Sequence, residues 1–166
     1  AEIAKRIYQR VPVLWDDSRS DPNPWGFDYM TKMFDMADSS HDFVDLASLR
    51  NARSTRDALT VRTEAGETLT PLLEAKHVAI FDHRWSSGLD ADLVSDEQKR
   101  DTNFLVTPRY WMPAARVPPR LASKEWSRSW LMGWRDICGA TGERTTICAV
   151  FPGAAVAHTL RVRFVR

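Results

Sequence analysis

Asp57 followed by Glu74-Ala75-Lys76 supplies, in the right order, the residue types of a metal-dependent nuclease: an Asp and a Glu to hold a hard divalent cation, and a Lys beside the attacking water. The spacing is permissible. A three-residue pattern with a distant Asp nevertheless arises readily by chance in a chain with 22 acidic residues, so the pattern alone does not establish cleavage. A zinc site built from His77, Asp82 and His83 meets a geometric obstacle. Neighbours on an extended strand point to opposite faces, so at most one of Asp82 and His83 could join His77, short of the three ligands that catalytic zinc takes. His41 and His158 lack partners close in sequence. Cys138 and Cys148 fit no metal spacing and are too few for a disulfide framework, which leaves them as reduced, half-buried thiols. The chain also lacks a phosphate-cradling Gly-rich loop, a Gly-x-Ser-x-Gly elbow and an Asn-Pro-Pro-Tyr tetrapeptide. No catalytic or metal-binding residue is expected in this segment.

A different chemistry is carried by the aromatic and basic residues from Arg109 onward. Trp111, Trp126, Trp130 and Trp134 stand among Arg109, Arg128, Arg135 and Arg144, with hydroxyls at Thr141, Thr145 and Thr146. Arg forks can reach phosphates or a guanine edge, and hydroxyls can bond backbone oxygens. The competing reading makes the tryptophans core anchors. On a strand, Trp126, Trp130 and Trp134 share one face with Arg128, whereas Arg135 points the other way. A turn over Gly139 to Gly142 would set Arg135 and Arg144 on neighbouring strands of a hairpin, where Asp136 and Glu143 could pair with them.

Charge supports a polyanionic partner. The net charge of +1 hides a division: residues 1–101 carry 13 Lys+Arg against 19 Asp+Glu, and residues 102–166 carry 10 against 3. Clustered cations gain from counterion release on meeting phosphates.

The elements that must position these residues follow from pattern. Residues 2–10 place Ile3 and Ile7 four apart, a short amphipathic helix. Residues 16–26, rich in Pro and Asp, form a loop. "FDYMTKMFDM" is ambiguous between strand and helix. Asp38-Ser39-Ser40 offers cap groups, and Phe43, Leu46 and Leu49 recur at helical spacing, predicting a helix near 40–51. From Leu59 strand signals dominate: "ALTVRT", a turn at "AGET", then "LLEAKHVAIF" as a buried strand. Residues 87–102 read as an exposed loop with room for a short helix. Four further strands are expected within 103–112, 126–138, 144–151 and 158–165, separated by Pro or Gly. The fold class expected is α+β, strand-rich toward the C-terminus with one or two helices toward the N-terminus. Residues 1–58 are expected to form a helical and loop connector and 59–166 a β-rich unit, with a single compact unit as the alternative. The length of 166 residues suits one core. With no membrane-length apolar run and no secretion signal, a cytoplasmic location is expected. The absent initiator Met and the unfinished run "LRVRFVR" suggest a segment excised from a longer protein.

Four blocks in order, "NPWGFDYMTKMFDMADSSHDF", "PLLEAKHVAIFDHRW", "PRYWM" and "WLMGWRDICGATGERTTICAVFPGAAVAHT", resemble the region after the catalytic domain in bacterial type IIG and DISARM-like restriction-modification and phage-defence DNA methyltransferases. The resemblance spans about Pro22 to Thr159. This chain departs from the family pattern in carrying Leu73 for Tyr, Ala75 for Gly and Gly142 for Asn. The resemblance implies a parent enzyme that methylates adenine N6 with S-adenosylmethionine, the cofactor being bound upstream of Ala1. It implies that this chain is the first part of a target recognition domain, with double-stranded DNA and the catalytic domain of the same chain as partners. Arg109, Arg135, Arg144, Thr145, Arg84 and Lys76 are the expected DNA contacts. The alternatives are a protein docking module of a defence system, and the Asp/Glu-x-Lys nuclease fragment above.

Overall fold

The computed structural model describes residues 2–51, 55–57, 59–139, 141–142 and 144–165, with the backbone alone at 51, 55–57 and 165. In chain order the elements are helix α1 (Glu2–Arg10), strands β1 (Phe27–Met30) and β2 (Val44–Asp45), helix α2 (Leu46–Asn51), and strands β3 (Thr55–Asp57), β4 (Thr60–Arg62) and β5 (Thr68–Leu73). The short strands β6 (Ser86–Ser87) and β7 (Asp92–Leu93) follow, then helix α3 (Asp96–Arg100), β8 (Tyr110–Pro113), helix α4 (Val117–Ala122), β9 (Trp130–Arg135), β10 (Cys148–Pro152), β11 (Ala155–Val156) and β12 (Leu160–Val165). The class is α+β.

One antiparallel sheet runs β1-β12-β9-β10; a second runs β2-β8-β5-β4-β3, with β11 parallel to the end of β5. Both sheets join residues from the two sides of position 58: Phe27 pairs with Val165, and Val44 with Trp111. The main core lies where the sheets meet. On β12 the alternation "LRVRFV" buries Leu160, Val162 and Phe164 and turns Arg161 and Arg163 outward. Leu131, Ala149 and Phe151 join them, and Leu72, Leu73 and Met112 face them from the second sheet. Each such large side chain stabilises the fold by about 1.5–3 kcal/mol. Gly133 permits this closure, because a Cβ there would stand 2.8 Å from the Arg161 carbonyl oxygen and 3.0 Å from the Phe151 ring.

Three local expectations change. The predicted helix over 40–51 begins only at Leu46. Residues 40–42 form a single 3-10 turn, and Val44–Asp45 is drawn into pairing with Tyr110–Trp111. The effective start signal is Asp45, whose carboxylate accepts from the Ser48 N–H and hydroxyl at 2.8 Å each. The predicted strand over 72–81 ends at Leu73, because Glu74 to His77 folds back on itself: the Glu74 N–H donates to His77 Nδ1 at 2.9 Å and the His77 N–H to the Glu74 carbonyl at 3.0 Å. The tryptophans also divide. Trp126 precedes β9 and is buried against Phe164, while Trp134 lies on the outer face beside Phe27 and Tyr29.

Candidate nucleic-acid interface

Arg135 is the last residue of β9, an inner strand of the four-stranded sheet. Its N–H donates to the Ile147 carbonyl at 2.9 Å, holding the strand end in register, and its Nε donates to the Val78 carbonyl at 2.7 Å. The guanidinium therefore clasps the segment that leaves β5, and its two terminal nitrogens have no partner among the described residues. Arg144 lies on the connection between β9 and β10, so the two arginines do not occupy facing strands. They nevertheless converge. Both line one open groove of about 470 Å³, whose remaining walls are Ala79, Ile80, Trp85 and Ile147. Arg144 is exposed and has no ion-pair or hydrogen-bond partner among the described residues.

The carboxylates expected to neutralise this pair are differently placed. Asp136 accepts from Arg161 Nε at 2.7 Å, and Glu143 lies outside the described residues. In the turn after Ile80, burial acts to raise the Asp82 carboxyl, but its pairing with Lys99 at 2.8 Å and the bond from the Arg84 N–H hold it below the ordinary range. Lys99 in turn sits 4.8 Å over the Trp85 ring.

The other expected contacts are engaged within the protein. Arg109 grips the buried Glu74 with Nε at 3.0 Å and Nη2 at 2.8 Å, and Lys76 lies 3.3 Å from the same carboxylate. The hydrogen bonds to Glu74 raise the Arg109 pKa. Arg84 donates to the backbone carbonyls of Lys99 and Asp101, which fixes α3 to the loop before it. Thr145 is exposed, and its carbonyl accepts from the Cys138 thiol. Thr145 lines a second cavity of about 420 Å³ with Phe27, Met132, Trp134, Arg135 and Arg163. The structure thus brings Arg135 and Arg144 together, and sets Arg109, Lys76 and Arg84 to work in the scaffold.

The same geometry bears on the metal chemistry of Glu74 and Lys76. Both Glu74 oxygens accept from Arg109, so a cation would have to displace a guanidinium. The side chain of Asp57 lies outside the described residues. His77 is fully buried, and the loss of hydration pushes its pKa down to about 4, with Lys76 and Arg109 adding to the fall and Glu74 opposing it. Because Nδ1 accepts from a backbone N–H, Nε2 carries the proton, and it is buried with no partner among the described residues. His83 is half-buried and its pKa is also lowered, by burial and by Arg84. Among the described residues no group of three His, Cys, Asp or Glu could hold a metal ion.

Two features of this surface escape sequence reading. Trp85 becomes a groove wall only because its N–H returns to the His77 carbonyl at 3.1 Å. Phe27, Tyr29 and Trp134 form an outward aromatic cluster with ring centroids 5.5 to 6.3 Å apart, and Arg163 lies over Phe27. The alternation of Arg161 and Arg163 with apolar residues was the only signal for the second. No family model, curated protein or solved structure matches this chain.

Proposed function

We propose that this chain is the DNA-recognition segment of an S-adenosylmethionine-dependent adenine-N6 DNA methyltransferase of a restriction-modification or phage-defence system, acting in the cytoplasm. Its task is to position duplex DNA for methylation by an upstream domain. The observation that carries the reading is the convergence of Arg135 and Arg144 on one open groove, while Asp82 and Asp136 are neutralised by Lys99 and Arg161. The guanidinium of Arg144 and the two terminal nitrogens of Arg135, which have no partner among the described residues, are suited to phosphate oxygens or a guanine edge. The four sequence blocks and the basic C-terminal part support it independently.

The residues here do not fit the cofactor itself. Among the described residues the cavity beneath Trp134 has Asp136 as its one carboxylate, and Arg161 already holds it, so those residues offer no free acid for a ribose or an ammonium group. The cofactor and the methyl transfer belong to the upstream domain.

Duplex binding measured against salt tests the reading. Affinity should fall steeply between low and moderate salt, and Arg144→Ala should weaken it. Salt-independent or absent binding would overturn it. A second reading, a protein docking module, is favoured by α1, whose Ile3, Ile7 and Tyr8 are all exposed. That reading predicts association that persists in high salt and is lost in Ile3→Asp.

A further inference from the structure

Phe81 is 84 % exposed, unusual for the largest purely apolar side-chain type, and its backbone has a φ of 57°, a region that bulky residues rarely occupy. It is not a loose tip. Its N–H donates to the Cys148 carbonyl at 2.8 Å, which fastens the turn to the free edge of β10. Ala79 and Asp82 close the turn with reciprocal backbone hydrogen bonds of 2.7 and 3.1 Å. Below it, Val78 is fully buried and its carbonyl is held by Arg135. Asp82 is braced by Lys99 and accepts from the Arg84 N–H at 2.7 Å. The chain therefore spends several interactions on holding an aromatic ring out in solvent in a strained conformation, a pattern that accompanies function.

The surroundings specify the partner. Ile80, the residue before it, lines the groove with Arg135 and Arg144, and Ile147 precedes the residue that anchors Phe81. The nearby carboxylates of Asp82 and Asp136 are already paired with Lys99 and Arg161. A rigid apolar projection flanked by two guanidiniums that pair with no carboxylate among the described residues complements a partner with an anionic exterior and an apolar stacked interior. Duplex DNA has that construction: phosphates outside, base stack within.

We propose that Phe81 is a wedge that enters the base stack of bound duplex DNA and parts two neighbouring base pairs, while Arg135 and Arg144 hold the adjacent phosphates. The inference rests on the DNA-recognition reading and adds deformation of the duplex to it. Opening the stack is the step that an enzyme acting on a base inside a duplex has to provide.

The test uses the full-length protein with duplexes selected by it from a random-sequence pool and carrying 2-aminopurine in place of each adenine in turn. Binding is followed by anisotropy and unstacking by 2-aminopurine fluorescence. Wild type should raise the fluorescence several-fold at one position. Phe81→Asn, which tolerates the left-handed backbone, should still bind in a salt-dependent way and lose the rise, and Phe81→Trp should restore it. Binding without any rise, or an undiminished rise in Phe81→Asn, would overturn the wedge and leave recognition standing. Absence of duplex binding would overturn recognition and take the wedge with it. Phe81→Trp gives a separate reading: its emission should be solvent-exposed without DNA and quenched by duplex. Emission already shielded in the DNA-free protein would mean that another part of the protein covers this residue, and would also overturn the wedge.

Discussion

Arg109 reaches across from the start of β8 to the end of β5 and binds Glu74 through two nearly parallel hydrogen bonds of 3.0 and 2.8 Å. Glu74 is buried, and its carboxylate is met by this fork and by Lys76. Truncating Arg109 leaves a carboxylate in an apolar setting with one partially exposed lysine as its counter-ion. Arg109→Ala should cost about 2 kcal/mol, a figure reduced from that of a fully buried pair because the guanidinium is partly open to water. Arg109→Lys should recover only part of it, since an ammonium cannot form the fork. Urea unfolding midpoints at one pH measure both. A loss of DNA affinity with unchanged stability would instead make Arg109 a contact residue.

His77 gives the fold an acid-side weakness. Burial lowers its pKa in the folded state to about 4, against an ordinary value near 6.5 for the unfolded chain. The unfolded state therefore takes up a proton that the folded state resists. Stability is complete above about pH 6.5 and declines as pH falls toward 4, by at most about 3 kcal/mol from this group. His83, with its pKa lowered in the same direction, adds to the loss. Asp82, whose carboxyl is also held low, contributes stability that disappears only at more acid pH, as the solution passes through its folded-state value. Unfolding midpoints at pH 7 and pH 5 should differ clearly in wild type and less in His77→Gln, which retains an acceptor without a titrating ring.

Legibility in the sequence tracked the range of the interaction. The C-terminal strands were readable because Pro and Gly bracket alternating runs, and β12 declares its inward face through Leu160, Val162 and Phe164. Helix α1 was readable from Ile3 and Ile7 alone. The 40–51 segment was misread because the pairing of Val44 with Trp111, 67 positions away, outweighs a local cap at Ser39 and Ser40. "LLEAKHVAIF" was misread because the bond from Glu74 N–H to His77 Nδ1 ends the strand, and periodicity does not register a three-residue side-chain closure. The same apolar run concealed Phe81, whose anchor on Cys148 is long-range. Arg135 and Arg144 were individually visible; the groove they share depends on Trp85, which only the folded chain brings to them.

Gly133 is required by close approach rather than by turn geometry. Alanine there places Cβ 2.8 Å from a backbone oxygen of β12, an atom that cannot move without disturbing the sheet. Gly133→Ala should destabilise by about 1–3 kcal/mol through overpacking. Gly139 has nothing within 4 Å of the equivalent position, so Gly139→Ala is the matched control and should leave stability nearly unchanged. Thermal unfolding of the two variants side by side separates packing from any general effect of removing glycine. Equal Tm values would show that β12 and β9 are farther apart in solution.

Arg144 is a cleaner probe of the groove than Arg135. Arg135 also holds the Val78 carbonyl, so its removal frees a backbone acceptor and loosens the turn that carries Phe81. Arg144 is exposed and makes no such bond among the described residues. Arg144→Ala should therefore keep stability within about 0.5 kcal/mol of wild type while weakening duplex binding. A phosphate contact would reduce the slope of log affinity against log salt by about one, uniformly across sequences. A base contact would cost about 1–3 kcal/mol at the preferred site and relax the choice at one position. Arg135→Ala should show the DNA defect together with a lower Tm. Two variants that are equally stable and bind duplex as well as wild type would remove this groove from the DNA-binding surface.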